Sequence, residues 1–327
     1  MKEFAGRVAA ITGAGSGIGR ALALRLAREG CHVALSDRDS VRLAQTVALL
    51  EPFQVTVTSA VVDVADRDQM HAWATDTVSA HGQINLVFNN AGVAQSGSVQ
   101  GNTYADYEWV LNINLWGVIH GTKAFLPHLV ETGDGHIVNI SSVFGLQAQP
   151  GVSAYNASKY AVRGFTESLR QELDVLNNGV SATCVHPGGI RTEIVRSSRI
   201  SDGMEDLFGP EEARVRQVFD TLLLTSADRA AKTILTGVRH NSRRVLIGAD
   251  ARLLDLEQRL LPTGYQVANN VLCTSVGRAL TLFPSVFKPM PTRVETTSSA
   301  QPDPSVRQPD KRRASPRQAT PAHNGLG

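Results

Sequence analysis

Residues 8–19, Val8-Ala9-Ala10-Ile11-Thr12-Gly13-Ala14-Gly15-Ser16-Gly17-Ile18-Gly19, decide the fold. Val8 to Thr12 is an apolar run of strand length, and the glycine-rich stretch follows it with no spacer. From there Ile18, Leu22 and Leu26 recur every four residues, which places them on one face of a helix running to Glu29. A glycine-rich turn between strand and helix lets the backbone approach a pyrophosphate. The unpaired N–H groups that open the helix carry partial positive charge toward it. Such turns also make plain strand-to-helix connections; the position of this one, between a first strand and a first helix, favours the phosphate-binding reading.

Outward from this unit the pattern repeats. Short apolar runs at Val8 to Thr12, His32 to Ser36, Val55 to Val62, Leu86 to Phe88, His136 to Ile140, Val180 to His186 and Arg244 to Gly248 alternate with longer segments of helical period, which predicts about seven strands. Each strand is followed by a helix, so the strands pair in parallel, and runs apolar on both faces belong between two helical layers. The expected fold class is α/β, a Rossmann-type doubly wound parallel sheet in a three-layer α/β/α sandwich.

The chain has 327 residues, 42% apolar and 19% charged, enough for a substantial core. A net charge of +2 gives no reason to expect nucleic acid or an acidic membrane surface as partner. Cys31, Cys184 and Cys273 lie far apart without metal-ligand spacing, so no disulfide framework and no metal site is expected, and a reducing, cytoplasmic setting is the natural reading. The N-terminal apolar stretch is too short for a signal peptide or span. Residues 259–287 form the most apolar long stretch; the expectation is a tail packed on the protein or on a partner subunit, with membrane contact as the alternative. Residues 1–250 read as the Rossmann-fold domain and 251–290 as a partly helical extension. Residues 291–327 hold six of the fourteen prolines, no aromatic residue and a charge of +3, and read as a disordered tail.

Two constellations carry chemistry. The second run ends at Ser36-Asp37-Arg38, and Asp37 falls 18 residues after Gly19, where a βαβ unit brings a carboxylate to the adenosine ribose. A carboxylate accepts from the ribose hydroxyls and repels a 2′-phosphate, so NAD is preferred, with Ser16 uncharged where a base would serve NADP. Arg38 points the other way if Asp37 turns aside, and Asp37 also reads as a plain strand-end cap. Farther on, Tyr155 and Lys159 stand four apart on a helix and share a face, 13 residues after Ser142 at the end of a strand. Moving a hydride at a carbonyl carbon requires a proton to move at its oxygen. Tyr155 suits the proton transfer, Lys159 the lowering of its pKa, and Ser142 the holding of the substrate oxygen. A bare YxxxK is common on surfaces; the preceding strand and serine distinguish this one. His186 reads as a positioned strand-end residue.

With Asn89-Asn90-Ala91-Gly92, Asn114 and Pro187-Gly188-Gly189 in the same order, residues 4–250 resemble the short-chain dehydrogenase/reductase family, compact single-domain branch. The resemblance implies that Asn114 sits beside Lys159 and holds a proton-relay water. It further implies that Asp63 and Val64 flank the adenine, that Asn90, Ala91 and Gly92 line the cofactor cleft, and that Pro187, Gly188, Ile190 and Thr192 bind the nicotinamide end. Gly13, Ser16, Gly17, Ile18 and Gly19 would hold the pyrophosphate. It implies a homodimer or homotetramer pairing through residues 104–131 and 153–178, with Trp109, Trp116 and Phe165 in contact. The expected activity is interconversion of a small neutral alcohol with its ketone or aldehyde. Residues 193–225 would form a lid, and Phe144, Leu146 and Val93 an apolar wall. An NADPH-preferring ketoreductase and a non-catalytic dinucleotide-binding scaffold acting through the tail are the alternatives.

Overall fold

A computed structural model describes residues 2–194, 197–204, 207 and 224–271. All of them belong to one compact unit. The central sheet is built from β1 (Val8–Thr12), β2 (His32–Asp37), β3 (Val57–Val61), β4 (Leu86–Asn89), β6 (Gly135–Ile140), β7 (Val180–Pro187) and β11 (Arg244–Ile247). Its spatial order is β3-β2-β1-β4-β6-β7-β11, and every pairing is parallel. The order reverses between β1 and β4, and ligands of open parallel sheets bind outside the carboxyl ends of the strands at such a reversal.

The side-chain alternation of each strand builds one core on either face. Ala9 and Ile11 of β1, Val33 and Leu35 of β2, and Leu86 and Phe88 of β4 enter the cluster shared with α1 (Gly17–Arg28), α2 (Ser40–Ala48) and a later helix, α7 (Ala227–Arg239). Val8, Ala10, Ala34 and Val87 point the other way, against α3 (Arg67–His81), α5 (Gly117–Thr132) and α6 (Ser153–Leu176). There Phe125 meets Trp73 edge to face at 5.1 Å. Cys31 and Cys184 are buried free thiols, both pushed up to about 12 by burial.

The expected strands form within one or two residues of their predicted bounds, with one physical difference. The third, read as Val55 to Val62 and apolar on both faces, is the shorter β3 at the sheet edge, where Ser59 and Val61 are exposed. The long helix expected over 104–131 is three pieces in one rod: α4 (Tyr104–Leu111), a π-helical turn over Asn112–Trp116, and α5. The start of the expected lid is partly tied down, since β9 (Arg199–Ile200) pairs with β5 (Gln95–Ser96) and Arg199 lies 3.7 Å over the Trp109 ring. Phe208, Phe219, Leu222 and Leu223 of that lid, and the 291–327 tail, lie outside the described residues.

Past β11 comes α8 (Ala249–Leu260), then a helical stretch over 264–271. In this extension Leu253, Leu256, Leu260, Leu261, Val267 and Val271 are exposed, while Tyr265 is buried. No helix among the described residues is long and apolar enough to cross a membrane.

Candidate active site

The carboxyl ends of the strands converge on one edge, and buried hydrogen bonds set the side chains there. Ser141 Oγ donates to the Lys159 carbonyl at 2.8 Å, and Lys159 Nζ donates back to the Ile140 carbonyl at 3.0 Å. This reciprocal clasp fixes the end of β6 against α6, so that Ser142, Tyr155 and Lys159 share one neighbourhood. A Cβ on Gly145 would sit 2.6 Å from the Lys159 carbonyl oxygen, so glycine is needed for the approach. Ser142 Oγ hydrogen-bonds Tyr155 and accepts the Phe144 N–H at 3.2 Å, and Phe144 stands edge-on to the Tyr155 ring at 6.2 Å.

The electrostatics differ from the sequence-based expectation of a phenol lowered by its neighbouring ammonium. Burial pushes Tyr155 above its ordinary value, and the Ser142 hydrogen bond offsets this only in part. Lys159, nearly inaccessible, is itself lowered to about 8 by burial. Its Nζ lies 5.5 Å from the Tyr155 ring centre and is turned to the Ile140 carbonyl. His186, fully buried, donates from Nδ1 to the Ser142 carbonyl at 2.9 Å and is held down to about 4 by burial, hence neutral. It is a strand-end positioner, as its place before Pro187 suggests.

Asn114 lies within the π turn and is fully buried. Its Oδ1 accepts the Val93 N–H at 2.8 Å, while its Nδ2 donates to the Val93 carbonyl at 2.9 Å and to Ser158 Oγ at 3.1 Å. The carboxamide thus acts as a strand partner for one residue, a task requiring donor and acceptor together. A Cβ on Gly92 would lie 3.2 Å from Asn114 Oδ1 and 3.5 Å from Lys159 Nζ, which brings the segment after β4 against α6. Of the expected apolar wall, Phe144 and Val93 are half-buried and Leu146 is buried.

The glycine loop is a shaped cradle. Gly13 has φ +65°, and a Cβ there would lie 2.8 Å from Ala91 Cα. On Gly19 it would lie 2.2 Å from the Gly13 carbonyl oxygen. Thr12 Oγ1 accepts the N–H groups of Asn90 and Ala91, both at 3.0 Å, and Asn90 Nδ2 donates to the Thr12 and Gly13 carbonyls at 2.9 and 3.2 Å. Asn90 therefore builds the wall of the cleft. Ser16 precedes the first turn of α1 and leaves the helix N–H groups without a side-chain cap; Ile18 is half-buried in that turn. Loop, free amides and absent Cβ atoms fit a dinucleotide pyrophosphate.

At the far end of the cleft Asp37 Oδ2 accepts the Gly15 N–H and Oδ1 the Asp39 N–H, both at 2.9 Å, while Arg38 is exposed. Beside it Asp63 is exposed and accepts the Ala65 N–H, and Val64 is buried with its carbonyl accepting from His120. At the near end the turn after Pro187 folds back to β8 (Ile190–Arg191), which pairs with β10 (Thr225–Ser226) and has Ile190 buried; a Cβ on Gly17 would lie 3.1 Å from the Thr192 methyl.

Two residues not singled out in the sequence matter here. Asp250 Oδ2 accepts the Gly189 N–H at 2.6 Å and packs where Cβ atoms on Gly188 or Gly248 would stand, so α8 pins the glycine turn. The only sequence signal is an acid in the first turn of a helix. Arg20 hydrogen-bonds the Gly15 carbonyl and Thr46 Oγ1, stapling the glycine loop to α2, and nothing in its spacing separates it from a surface arginine.

A glycine cradle at a sheet reversal with a Ser, Tyr and Lys cluster beside it defines a dinucleotide-dependent oxidoreductase class. The family model for short chain dehydrogenases matches residues 7–202. The chain is 48% identical over 267 residues to the putative oxidoreductase SadH of Mycobacterium tuberculosis, covering 81% of this chain and 95% of that one. A short-chain dehydrogenase/reductase from Burkholderia phymatum solved in complex with NAD superposes with a TM-score of 0.70 at 31% identity, covering 80% of this chain and 96% of the other. One from Mycobacterium paratuberculosis bound to NAD gives 0.66 at 26%, covering 77% and 99%. The chain belongs to the short-chain dehydrogenase/reductase family of oxidoreductases.

Proposed function

We propose that this protein interconverts a small neutral alcohol and its ketone or aldehyde with NAD(H). The observation that carries the reading is the clasp between Ser141 and Lys159, which holds Ser142, Tyr155 and Lys159 beside the glycine cradle. Ser142 Oγ holds the substrate oxygen, and Tyr155 Oη gives it a proton in reduction or takes one in oxidation. Lys159 places positive charge by the phenol and favours its ionised form against the cost of burial. Asn114 keeps the relay water between Lys159 and solvent, at a turn where the regular helical ladder is broken. When bound, the nicotinamide supplies or accepts the hydride, and its oxidised form adds positive charge near the phenol. Gly13, Ser16, Gly17, Ile18 and Gly19 would hold its pyrophosphate, Asp37, Asp63 and Val64 its adenosine, and Ala91, Gly92, Pro187, Gly188, Ile190 and Thr192 its nicotinamide end.

NAD is favoured over NADP because Asp37 is fixed by two backbone donors and does not turn aside for Arg38 to meet a phosphate. In fluorescence titration NADH is expected to bind at least tenfold more tightly than NADPH; the opposite order overturns this assignment. Asp250→Ala removes the acceptor of the Gly189 N–H, and a hydrogen bond to a charged group is worth about 1.5–3 kcal/mol. Its NADH dissociation constant is expected to rise about tenfold.

A panel of neutral secondary alcohols and ketones, followed by the absorbance of reduced nicotinamide, tests the activity. Turnover confined to acyl-carrier thioesters or phosphosugars would contradict it. Pairing of copies through residues 104–131 and 153–178 is part of the proposal, and of the three expected contact residues Trp116 is the exposed one.

A further inference from the structure

The connection from Ser142 to Tyr155 is held from outside itself. Four consecutive residues show it. The Leu146 carbonyl accepts from Tyr160 Oη at 2.7 Å. Gln147, fully buried, donates Nε2 to Glu257 Oε2 at 2.9 Å and accepts on Oε1 from Gln149 at 3.1 Å. The Ala148 N–H donates to Tyr265 Oη at 3.4 Å, and its carbonyl accepts from Asn269 Nδ2, also at 3.4 Å. The Gln149 carbonyl accepts from Asn156 Nδ2 at 2.7 Å, next to Tyr155. Tyr265 also hydrogen-bonds Tyr160.

Glu257, Tyr265 and Asn269 all come from the C-terminal extension. That extension spends little apolar surface on the domain: from Leu256 onward its large aliphatic side chains are exposed, and Tyr265 is the one buried residue among those described there. A cavity of about 250 Å³ lies between it and the loop, lined by Ala148, Gln149, Pro150, Tyr265, Gln266 and Asn269. Discrete polar contacts around an open space, rather than close packing, therefore join the two. A buried amide left without its partner costs more than the bond itself was worth. Losing Glu257 would drive Gln147 out toward water and carry the loop with it.

We propose that the C-terminal extension is a positioning element for the substrate loop. Glu257 and Tyr265, acting through Gln147 and Ala148, fix the span joining Ser142 to Tyr155 and set how firmly substrate is held. This rests on Ser142 and Tyr155 being the catalytic pair.

The test uses the full chain. Tyr265→Phe keeps the ring and removes only Oη; Gln147→Glu faces one carboxylate with another; Gln147→Glu with Glu257→Gln restores the hydrogen bond with donor and acceptor exchanged. Tyr265→Phe is expected to raise substrate KM about five- to tenfold with kcat within about twofold, leaving the NADH dissociation constant unchanged. Amide hydrogen exchange over residues 143–150 should quicken alongside. Gln147→Glu alone should do the same more strongly, and the exchanged pair should return both readouts to within about twofold of the parent. Unchanged KM and unchanged exchange in Tyr265→Phe would overturn the proposal, as would failure of the exchanged pair to restore Gln147→Glu. If the parent protein turns over no alcohol or carbonyl, the enzymatic reading fails, and the hydrogen-exchange comparison alone then decides the coupling.

Discussion

Tyr155→Phe is expected to lower kcat by about 100- to 10,000-fold in both directions while NADH binding stays within about twofold, measured by steady-state kinetics and fluorescence titration. Phenylalanine retains the ring that stands edge-on to Phe144, so packing is preserved and only the ionisable oxygen is lost. The neighbouring groups cannot take its place. Lys159 Nζ is engaged with the Ile140 carbonyl, His186 is neutral with its Nδ1 proton committed to the Ser142 carbonyl, and an alcohol such as Ser142 is far too weak an acid for the task. Retention of most activity would mean that proton transfer is handled elsewhere.

Gly19→Ala is expected to weaken NADH binding more than about 100-fold and to destabilise the fold by roughly 1–3 kcal/mol, the usual cost of overpacking. The added methyl would lie 2.2 Å from the Gly13 carbonyl oxygen and 2.7 Å from Asn90 Nδ2. Neither neighbour is the loose end of a flexible chain. Gly13 is the turn itself, and Asn90 is tied to the Thr12 and Gly13 carbonyls, so relief requires opening the contact between the β1 and β4 ends. That contact is the floor of the proposed pyrophosphate site. Calorimetric titration with NADH and a thermal melt check the two effects separately; wild-type affinity in this variant would show that the cradle does not hold the dinucleotide.

Much of this fold was readable because parallel strands between two helical layers are apolar on both faces, and the shortness of the runs and their β-branched residues tell them from buried helix. Val8 to Thr12 has the same bounds in sequence and structure. At the sheet edge the rule weakens, and Val55 to Val62 was read too long because β3 has a neighbour on one side only. The π turn at Asn114 left no trace in the apolar period, and the partner of the Asn114 carboxamide there, Val93, is 21 residues away. The pairing of β5 with β9 is equally non-local and only two residues long.

In the site, residue types and spacing pointed to the Ser142, Tyr155 and Lys159 group, but not to its electrostatics. Burial, which depends on the whole surrounding fold, pushes the phenol up and the amine down, whereas spacing alone suggested only the attraction between them. Asp250 and Glu257 were invisible for the same reason, as each acts on a loop about 60 to 110 residues earlier.

The most direct test of proton transfer by Tyr155 is the pH dependence of single-turnover hydride transfer in the oxidation direction. The base form of the phenol is the active one there, so the rate should climb about tenfold per pH unit below the phenol's pKa and level off above it. Lys159→Met, which removes a positive charge and disfavours phenolate, should move the rise to higher pH, and Tyr155→Phe should abolish it. A rise that survives unchanged in Tyr155→Phe would contradict the account.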